Sequence, residues 1–216
     1  MWNVRSVVMS STGKIPQSGL YLDWCSEKAA KYACEHYHYS EVIPKGKRAR
    51  IGVWEDGDFI GAVLYGAGAN TNIGSSFGLD QTEACELTRV ALREHENHVT
   101  RVLSISRKLI TKQHPGLRVI ISYADPKENH NGAIYQADNW HYMGVTDSRD
   151  YLIINGKTYH PMSAYKNWGT SSKTKLQKAY PDLDVSSVKR PGKYKYVYPL
   201  DEEIDQKAQE RSKPYP

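Results

Sequence analysis

The chain has 216 residues, 39% of them hydrophobic and 25% charged, with a net charge of +5 at neutral pH. That is long enough for one well-buried domain plus an extension, and the apolar content is ordinary for a soluble protein. No apolar run approaches the roughly 18 residues of a membrane span, and the N-terminus lacks the lysine-plus-apolar pattern of a secretion signal, so no membrane association is expected.

Residues 23–39 carry a helix pattern, with Asp23 or Ser26 as its cap and a small-residue face of Ala29, Ala30, Ala33 and Cys34. Residues 50–56 and 58–66 predict a hairpin closed at Glu55-Asp56-Gly57-Asp58. The loop 66–80 is rich in Gly, Ala, Asn and Ser and is expected to be mobile. A strand over 86–93, a helix over 98–113, a strand over 118–123 and a short helix over 130–138 follow. A closing hairpin is predicted at 140–144 and 151–154, with Asn155-Gly156 turning the chain toward 158–160. Beyond about 160 the periodicity is weak, so the domain is placed at 1–160 and an appended, largely irregular extension at 161–216.

Charge is unevenly spread. Residues 1–156 hold 17 basic and 17 acidic residues, which cancel. Residues 157–198 hold 9 basic residues against Asp182 and Asp184, and the last 18 residues hold 3 basic and 5 acidic. In the basic segment, Lys157, Lys166, Lys173, Lys175 and Lys178 alternate with Tyr159, Tyr165, Trp168 and Tyr180. Cations contact phosphates and aromatics stack on bases, so this segment is the candidate nucleic-acid-binding region. A disordered tail would explain the lysines but not so many aromatics.

Cys25, Cys34 and Cys85 have no metal-ligand spacing, and an odd count argues against a disulfide framework, which points to a reducing, cytoplasmic setting. His36 and His38 would share a face only on an extended segment, where a carboxylate could complete a metal site, iron included. The other reading of His36-Tyr37-His38-Tyr39 is an aromatic surface that stacks or packs. In the strand Glu86-Leu87-Thr88-Arg89-Val90-Ala91-Leu92-Arg93, two charges stand among core-type residues. Such charges are costly unless paired or used.

The order strand, amphipathic helix, strand, short helix and aromatic across 86–140 resembles the second half of a GNAT-type acyltransferase domain. Four separated stretches narrow the resemblance: Ala33–Ser40, Gly52-Val53-Trp54-Glu55, Gln81–Leu92 and Gly132-Ala133-Ile134-Tyr135-Gln136-Ala137. Together, across roughly residues 25–165, they are similar to the Mom family of phage DNA-modification proteins. The resemblance implies an α/β fold with a mixed, mostly antiparallel sheet, splayed central strands and flanking helices. It implies a phage-encoded enzyme in the bacterial cytoplasm that adds a carbamoylmethyl-type group to the exocyclic amine of adenine in DNA, blocking restriction. A conventional acyl-CoA-dependent N-acyltransferase and a non-catalytic nucleic-acid-binding module are the alternatives, and a homodimer is left open.

Carried onto this sequence, the donor site lies between the strands at 86–93 and 118–123. Donor-binding candidates are Glu86, Arg89 and Arg101. Candidate catalytic residues are His38, Tyr39, Ser122, Asp125 and Tyr135. Tyr135 stands where such proteins place a phenol that protonates a leaving thiolate, and Ser122 and Asp125 end a strand at the splay. Asp125 before Pro126 reads equally as a turn residue. The donor implied is acetyl-CoA or a related acyl or aminoacyl carrier. The turn after the first of these strands, Arg93-Glu94-His95-Glu96-Asn97-His98-Val99-Thr100, has no glycine and two glutamates. A pyrophosphate held by backbone N–H groups at a helix start would not be expected there.

Overall fold

The computed structural model describes residues 11, 13, 15–44, 48–68 and 72–216. The first ten residues, where a secretion signal would lie, and residues 69–71 of the loop expected to be mobile lie outside that set. Strands are β1 (Leu20–Trp24), β2 (Arg48–Glu55), β3 (Asp58–Gly66), β4 (Ala84–Leu92), β5 (Val119–Ala124), β6 (His141–Val145), β7 (Arg149–Ile154), β8 (Lys157–Tyr159), β9 (Val185–Arg190) and β10 (Tyr194–Pro199). Helices are α1 (Glu27–Tyr37), α2 (Val99–Gln113), α3 (Ala133–Ala137), α4 (Pro161–Trp168), α5 (Lys173–Ala179) and α6 (Glu202–Gln209).

Two compact units result. The first holds residues up to Tyr123, then Gly132–Met143 and Lys195–Pro216; the second holds Ala124–Asn131 and Gly144–Tyr194. A seven-stranded sheet has the order β1-β2-β3-β4-β5-β10-β6. Strands β1 to β4 pair antiparallel, and β4 and β5 pair parallel. That parallel pairing covers only Ala84↔Val119, Cys85↔Ile120 and Glu86↔Ile121. Past Glu86 the two strands part, so the sheet is mixed and splayed as the resemblance implied.

Local chemistry explains these elements. Ser26, not Asp23, caps α1 by accepting from the Ala29 N–H at 3.2 Å. Asp23 instead belongs to β1, a strand the sequence pattern did not reveal, and so the helix starts at Glu27. Ala30, Ala33 and Cys34 let α1 lie close against Ala62, Leu64 and Ala91 of the sheet. The β2–β3 turn has Asp56 at φ 49° and Gly57 at φ 83°, the left-handed pair of a tight hairpin. Gly52 makes room for its neighbour: a Cβ there would stand 2.5 Å from the Trp54 ring.

Three expectations are corrected. In the loop called mobile, Ile73, Phe77 and Leu79 are buried and pack with Val119, Ile121, Val197, Ile204 and Ala208. Strands β6 and β7 do not form a hairpin with each other: β6 pairs beside β10 in the large sheet, while β7 is the middle of a second sheet ordered β8-β7-β9. The Asn155-Gly156 turn does occur, joining Ile154 and Lys157 with both turn residues at positive φ.

The third correction concerns residues 161–216. They are not an irregular extension. They form α4, α5, β9, β10 and α6, and β10 lies inside the large sheet between β5 and β6. The observed division of the chain therefore does not fall at residue 160. Helix α6 buries Ile204 and Ala208, and Arg118 holds its start through Asp201 at 2.7 Å and Glu203 at 2.7 Å. In the second unit, α4 and α5 bury Ala164 and Leu176 against Leu152, Ile154 and Val185.

Candidate functional site

Where β4 and β5 part, the Leu87 carbonyl has lost its neighbour strand. The Ser122 hydroxyl replaces it, donating to that carbonyl at 2.8 Å. The same hydroxyl lies 2.8 Å from the Tyr135 hydroxyl. Both residues are buried, Ser122 at 1% exposure. Tyr135 is held by α3, whose start needs Gly132 in the left-handed region at φ 84°. A Cβ on Gly132 would meet the Tyr196 ring at 2.2 Å, which accounts for glycine in the Gly132-Ala133-Ile134-Tyr135 motif. The Tyr135 ring also packs on Trp140 and Tyr196, with centroids 5.0 and 5.1 Å away. The packing and the polar readings of this tyrosine therefore hold together.

Burial pushes the Tyr135 phenol up to about 12; the Ser122 hydrogen bond opposes this, Tyr39 and Glu86 add to it, and Arg89 counteracts them. The phenol keeps its proton throughout the neutral range and can act as an acid. Tyr39, Glu86, Arg89, Ser122 and Tyr135 thus form one electrostatic cluster in the first unit. Tyr39 is 51% exposed and stacks at 4.3 Å on His38, so it stands at the solvent side of that cluster. The Ser40 N–H donates to His38 Nδ1 at 3.1 Å, which leaves Nε2 as the protonated nitrogen of the neutral ring.

The two charges in β4 also have a structural cause. Glu86 pairs with Gly66, Leu87 with Tyr65 and Arg89 with Leu64, so Thr88 is an extra residue, a β-bulge. The bulge shifts the alternation and puts Glu86 and Arg89 on one face. Bulges re-aim side chains in this way beside active sites. Arg89 Nη1 donates to the Thr88 carbonyl at 2.7 Å, while its Nε is buried with no hydrogen-bond partner. An unsatisfied buried donor is costly, and an acceptor on a bound molecule would relieve it.

The turn before α2 is already filled by a carboxylate. Glu55 Oε2 accepts from the Glu96 N–H at 2.9 Å, and Oε1 accepts from the Asn97 N–H at 2.9 Å and from Asn97 Nδ2 at 2.6 Å. These bonds hold the Glu55 carboxyl below its usual range, the Asn97 side chain contributing most. Arg101 donates to Asn97 Oδ1 at 2.7 Å and is exposed. Two backbone donors of this turn, the Glu96 and Asn97 N–H groups, are therefore taken by the chain's own anion.

Asp125 lies in the second unit, apart from the Ser122–Tyr135 cluster's own unit. Its carboxylate caps the Lys127 N–H at 3.1 Å and pairs with Lys193 at 3.2 Å, the turn role. The histidine pair gains no carboxylate as a third ligand among the described residues. His36 Nδ1 faces the Tyr32 carbonyl at 2.9 Å, and His38 Nδ1 faces Ser40. Among the described residues no three His, Cys, Asp or Glu gather to hold a metal ion. Burial pushes the Cys25 and Cys85 thiols up to about 12, so neither is a thiolate nucleophile.

Lys157, Lys166, Lys173, Lys175 and Lys178 are exposed on the second unit. Trp168 is not free to stack on a base. It packs edge-to-face on Tyr159, centroids 4.9 Å apart, against the unit's core. Tyr165 is 64% exposed. No helix among the described residues is long and apolar enough to cross a membrane.

Sequence reasoning missed two features of the first unit. One is the Glu55 clamp, whose partners lie some 40 residues away. The other is a buried ion pair of Arg107 and Asp138, which is bidentate through Nη2 and Oδ1 at 3.1 Å and the shorter Nη1 and Oδ2 contact. Asp138 also accepts from Trp140 Nε1 at 2.8 Å, and the Arg107 guanidinium lies 3.9 Å over the Tyr198 ring. This network fixes α2 to the end of α3 and so positions Tyr135. Arg107 looked like an ordinary polar position on an amphipathic helix.

Comparison with known proteins bears on these features. The chain is 30% identical over 138 residues to methylcarbamoylase Mom of Escherichia phage Mu, a match covering 61% of this chain and 57% of that protein. The chain thus spans little more than half the length of that curated relative. Among solved structures it is similar to a GNAT family acetyltransferase from Elizabethkingia anophelis with acetyl-CoA bound, with TM-score 0.42, 11% identity, and 84% of this chain and 99% of that chain covered. It is also similar to an acetyltransferase from Thermus thermophilus, with TM-score 0.43, 14% identity, and 86% and 100% covered. The Mom protein family itself matches residues 19–216. With nearly the whole chain inside that match, this protein belongs to the Mom family.

Proposed function

We propose that this protein is a phage DNA-modification transferase that adds a carbamoylmethyl-type group to the exocyclic amine of adenine. The observation that carries the reading is the buried Ser122–Tyr135 hydroxyl pair at the splay of β4 and β5, with Glu86 and Arg89 acting on it. Family membership and the match to methylcarbamoylase Mom support the substrate and the reaction class.

The chemistry needs a proton at each end. Adenine's amine is a poor nucleophile because its lone pair feeds the ring. As the new N–C bond forms, the amine loses a proton and the bond from the donor carbon to its leaving group breaks. Tyr135 holds a proton at neutral pH and supplies it to the leaving group. Glu86 is the carboxylate whose charge reaches Tyr135, and it takes the proton from the amine. Arg89 Nε turns toward an acceptor on the donor. A target amine inside a duplex is met by flipping the base out or in single-stranded form.

Glu55 takes two backbone N–H groups of the turn before α2, where a pyrophosphate would otherwise be gripped. This weighs against a conventional acyl-CoA N-acyltransferase. The cluster at Tyr135 weighs against a module that only binds nucleic acid. The test is mass spectrometry of nucleosides from host DNA after expression. A heavier deoxyadenosine derivative is expected, absent from an empty-vector control and from Tyr135→Phe. Nucleosides identical to the control would overturn the reading.

A further inference from the structure

The small sheet of the second unit has two faces, and the register assigns them. Leu152, Ile154 and Val185 point to α4 and α5 and are buried. The alternate residues Arg149, Tyr151, Ile153, Val188 and Arg190 share the opposite face, where Arg149 and Val188 are exposed and Tyr151, Ile153 and Arg190 half-buried. Val188 there is 39% exposed.

At the end of this open face, Arg149 and Arg190 are directly opposite each other across β7 and β9. Like charges in that relation destabilise a sheet. Among the described residues neither arginine has an ion-pair partner. The Arg190 guanidinium lies 4.3 Å over the Tyr151 ring, a cation–π contact that holds it in place and uses none of its N–H donors. The His160 ring meets Tyr151 edge-on at 5.2 Å. Lys193 adds a third cation to the group and pairs with Asp125 at 3.2 Å. Asp150 pairs across to Lys189 on the other side of the strand. The positive field of Arg149, Lys193 and Arg190 is felt at His160, whose imidazole is held below its usual value by burial first and then by these three.

We propose that this open face is a binding surface for a DNA strand, with Arg149 and Arg190 contacting its phosphates on the platform of Tyr151. The inference rests on DNA being the substrate, but it concerns a surface separate from the lysines of α5 and from the Tyr135 cluster. Two cross-strand arginines with no carboxylate between them are relieved by a polyanion. Arginine's planar fork suits phosphate oxygens.

The experiment measures binding of the full chain to labelled single-stranded and duplex oligonucleotides across a salt series. The Arg149→Gln/Arg190→Gln double variant is expected to bind at least tenfold more weakly at low salt. Its slope of log K against log salt should fall by up to about 2, the loss of two phosphate contacts. Its melting temperature should hold or rise, because a like-charge pair has been removed; a merely structural pair would lower it. Tyr151→Ala should reproduce part of the affinity loss. Affinity and slope equal to wild type for both oligonucleotides would overturn the proposal. If wild type binds with the expected slope yet leaves adenine unmodified, the modification reading fails and this surface stands. If wild type modifies adenine and the double variant matches it in binding, this surface fails alone.

Discussion

The Ser122 and Tyr135 hydroxyls are 2.8 Å apart at the point where β4 and β5 separate. Ser122 has one hydrogen and two oxygen neighbours, the Leu87 carbonyl and the tyrosine. When it donates to Leu87, which can only accept, Tyr135 donates to Ser122. When Tyr135 gives its proton to a leaving group, Ser122 can turn its own hydrogen to the tyrosine oxygen and stabilise the phenolate by a hydrogen bond until solvent reprotonates it. The splay thus leaves the Leu87 carbonyl to the Ser122 hydroxyl, which in turn orients the Tyr135 phenol.

Tyr135→Phe should lower modified deoxyadenosine by about 100-fold or more, the usual share of a general acid, while costing only about 1 kcal/mol of stability. Ser122→Ala should cost about 1–3 kcal/mol, since it leaves Leu87 and Tyr135 without a buried partner. Nucleoside mass spectrometry beside urea unfolding separates the two effects. The phenol's raised value of about 12 also predicts no alkaline loss of activity from this group between about pH 7 and 9. A falling limb in that window that vanishes in the phenylalanine variant would contradict the assignment.

Glu55→Gln should release part of the turn before α2, because an amide offers one acceptor oxygen where the carboxylate offers two. The sign with pH follows from the lowered carboxyl of Glu55. Its contribution is present above the ordinary carboxylate range and is lost as pH falls through the depressed value. Melting curves on an acid series should therefore show a wild-type decline that is shallower in the variant. Wild type should also bind coenzyme A no better than pantetheine, whereas Glu55→Gln should favour coenzyme A. Calorimetry showing at least tenfold tighter wild-type binding of coenzyme A would place the pyrophosphate in the turn after all.

Arg107→Met and Asp138→Asn should each destabilise the protein by about 3–5 kcal/mol, because each leaves a buried charge or its partners uncompensated. The double variant Arg107→Met/Asp138→Asn should lose less than the sum. Additive losses in denaturant titrations would show that the two side chains act independently.

Trp168→Ala should lower stability by about 1–3 kcal/mol, since it removes packing from Tyr159 and the core of the second unit. Tyr165→Ala should leave stability within about 0.5 kcal/mol and weaken DNA binding by about 1–3 kcal/mol if the exposed ring stacks on a base. Thermal melts paired with oligonucleotide binding decide which aromatic has which role. Unchanged melting of Trp168→Ala with weakened binding would reverse the assignment.

Much of the first unit was legible in the chain itself, because its signals are local. The Ser26 cap, the small face of α1, the Asp56-Gly57 turn and the amphipathic run of α2 are each encoded within a few residues, as is the Asn155-Gly156 turn of the second unit. Tyr39 and Tyr135 stand out only through the family resemblance, Arg89 also as a charge in a core-type strand, and the fold alone brings them within electrostatic reach of one another. The fate of residues 161–216 was not legible. Strand β10 reads as Tyr-Lys-Tyr-Val-Tyr-Pro, with neither clean alternation nor an apolar run, and only its place between β5 and β6 makes Tyr196 and Val197 core residues.

The tertiary structure alone decided which charged groups meet. Glu55 and Asn97, Arg107 and Asp138, and Arg149 and Arg190 are each separated by 31 to 42 residues in sequence. No period or propensity links such pairs, and their energies depend on burial and on distances of a few ångströms. The same holds for Asp125, which stands three residues beyond Ser122 in the chain but is drawn to Lys193 in the second unit. Sequence determined the elements and the chemistry available on each. Packing of the strands determined which of that chemistry is brought together, because hydrogen bonds and charge interactions act only at contact range.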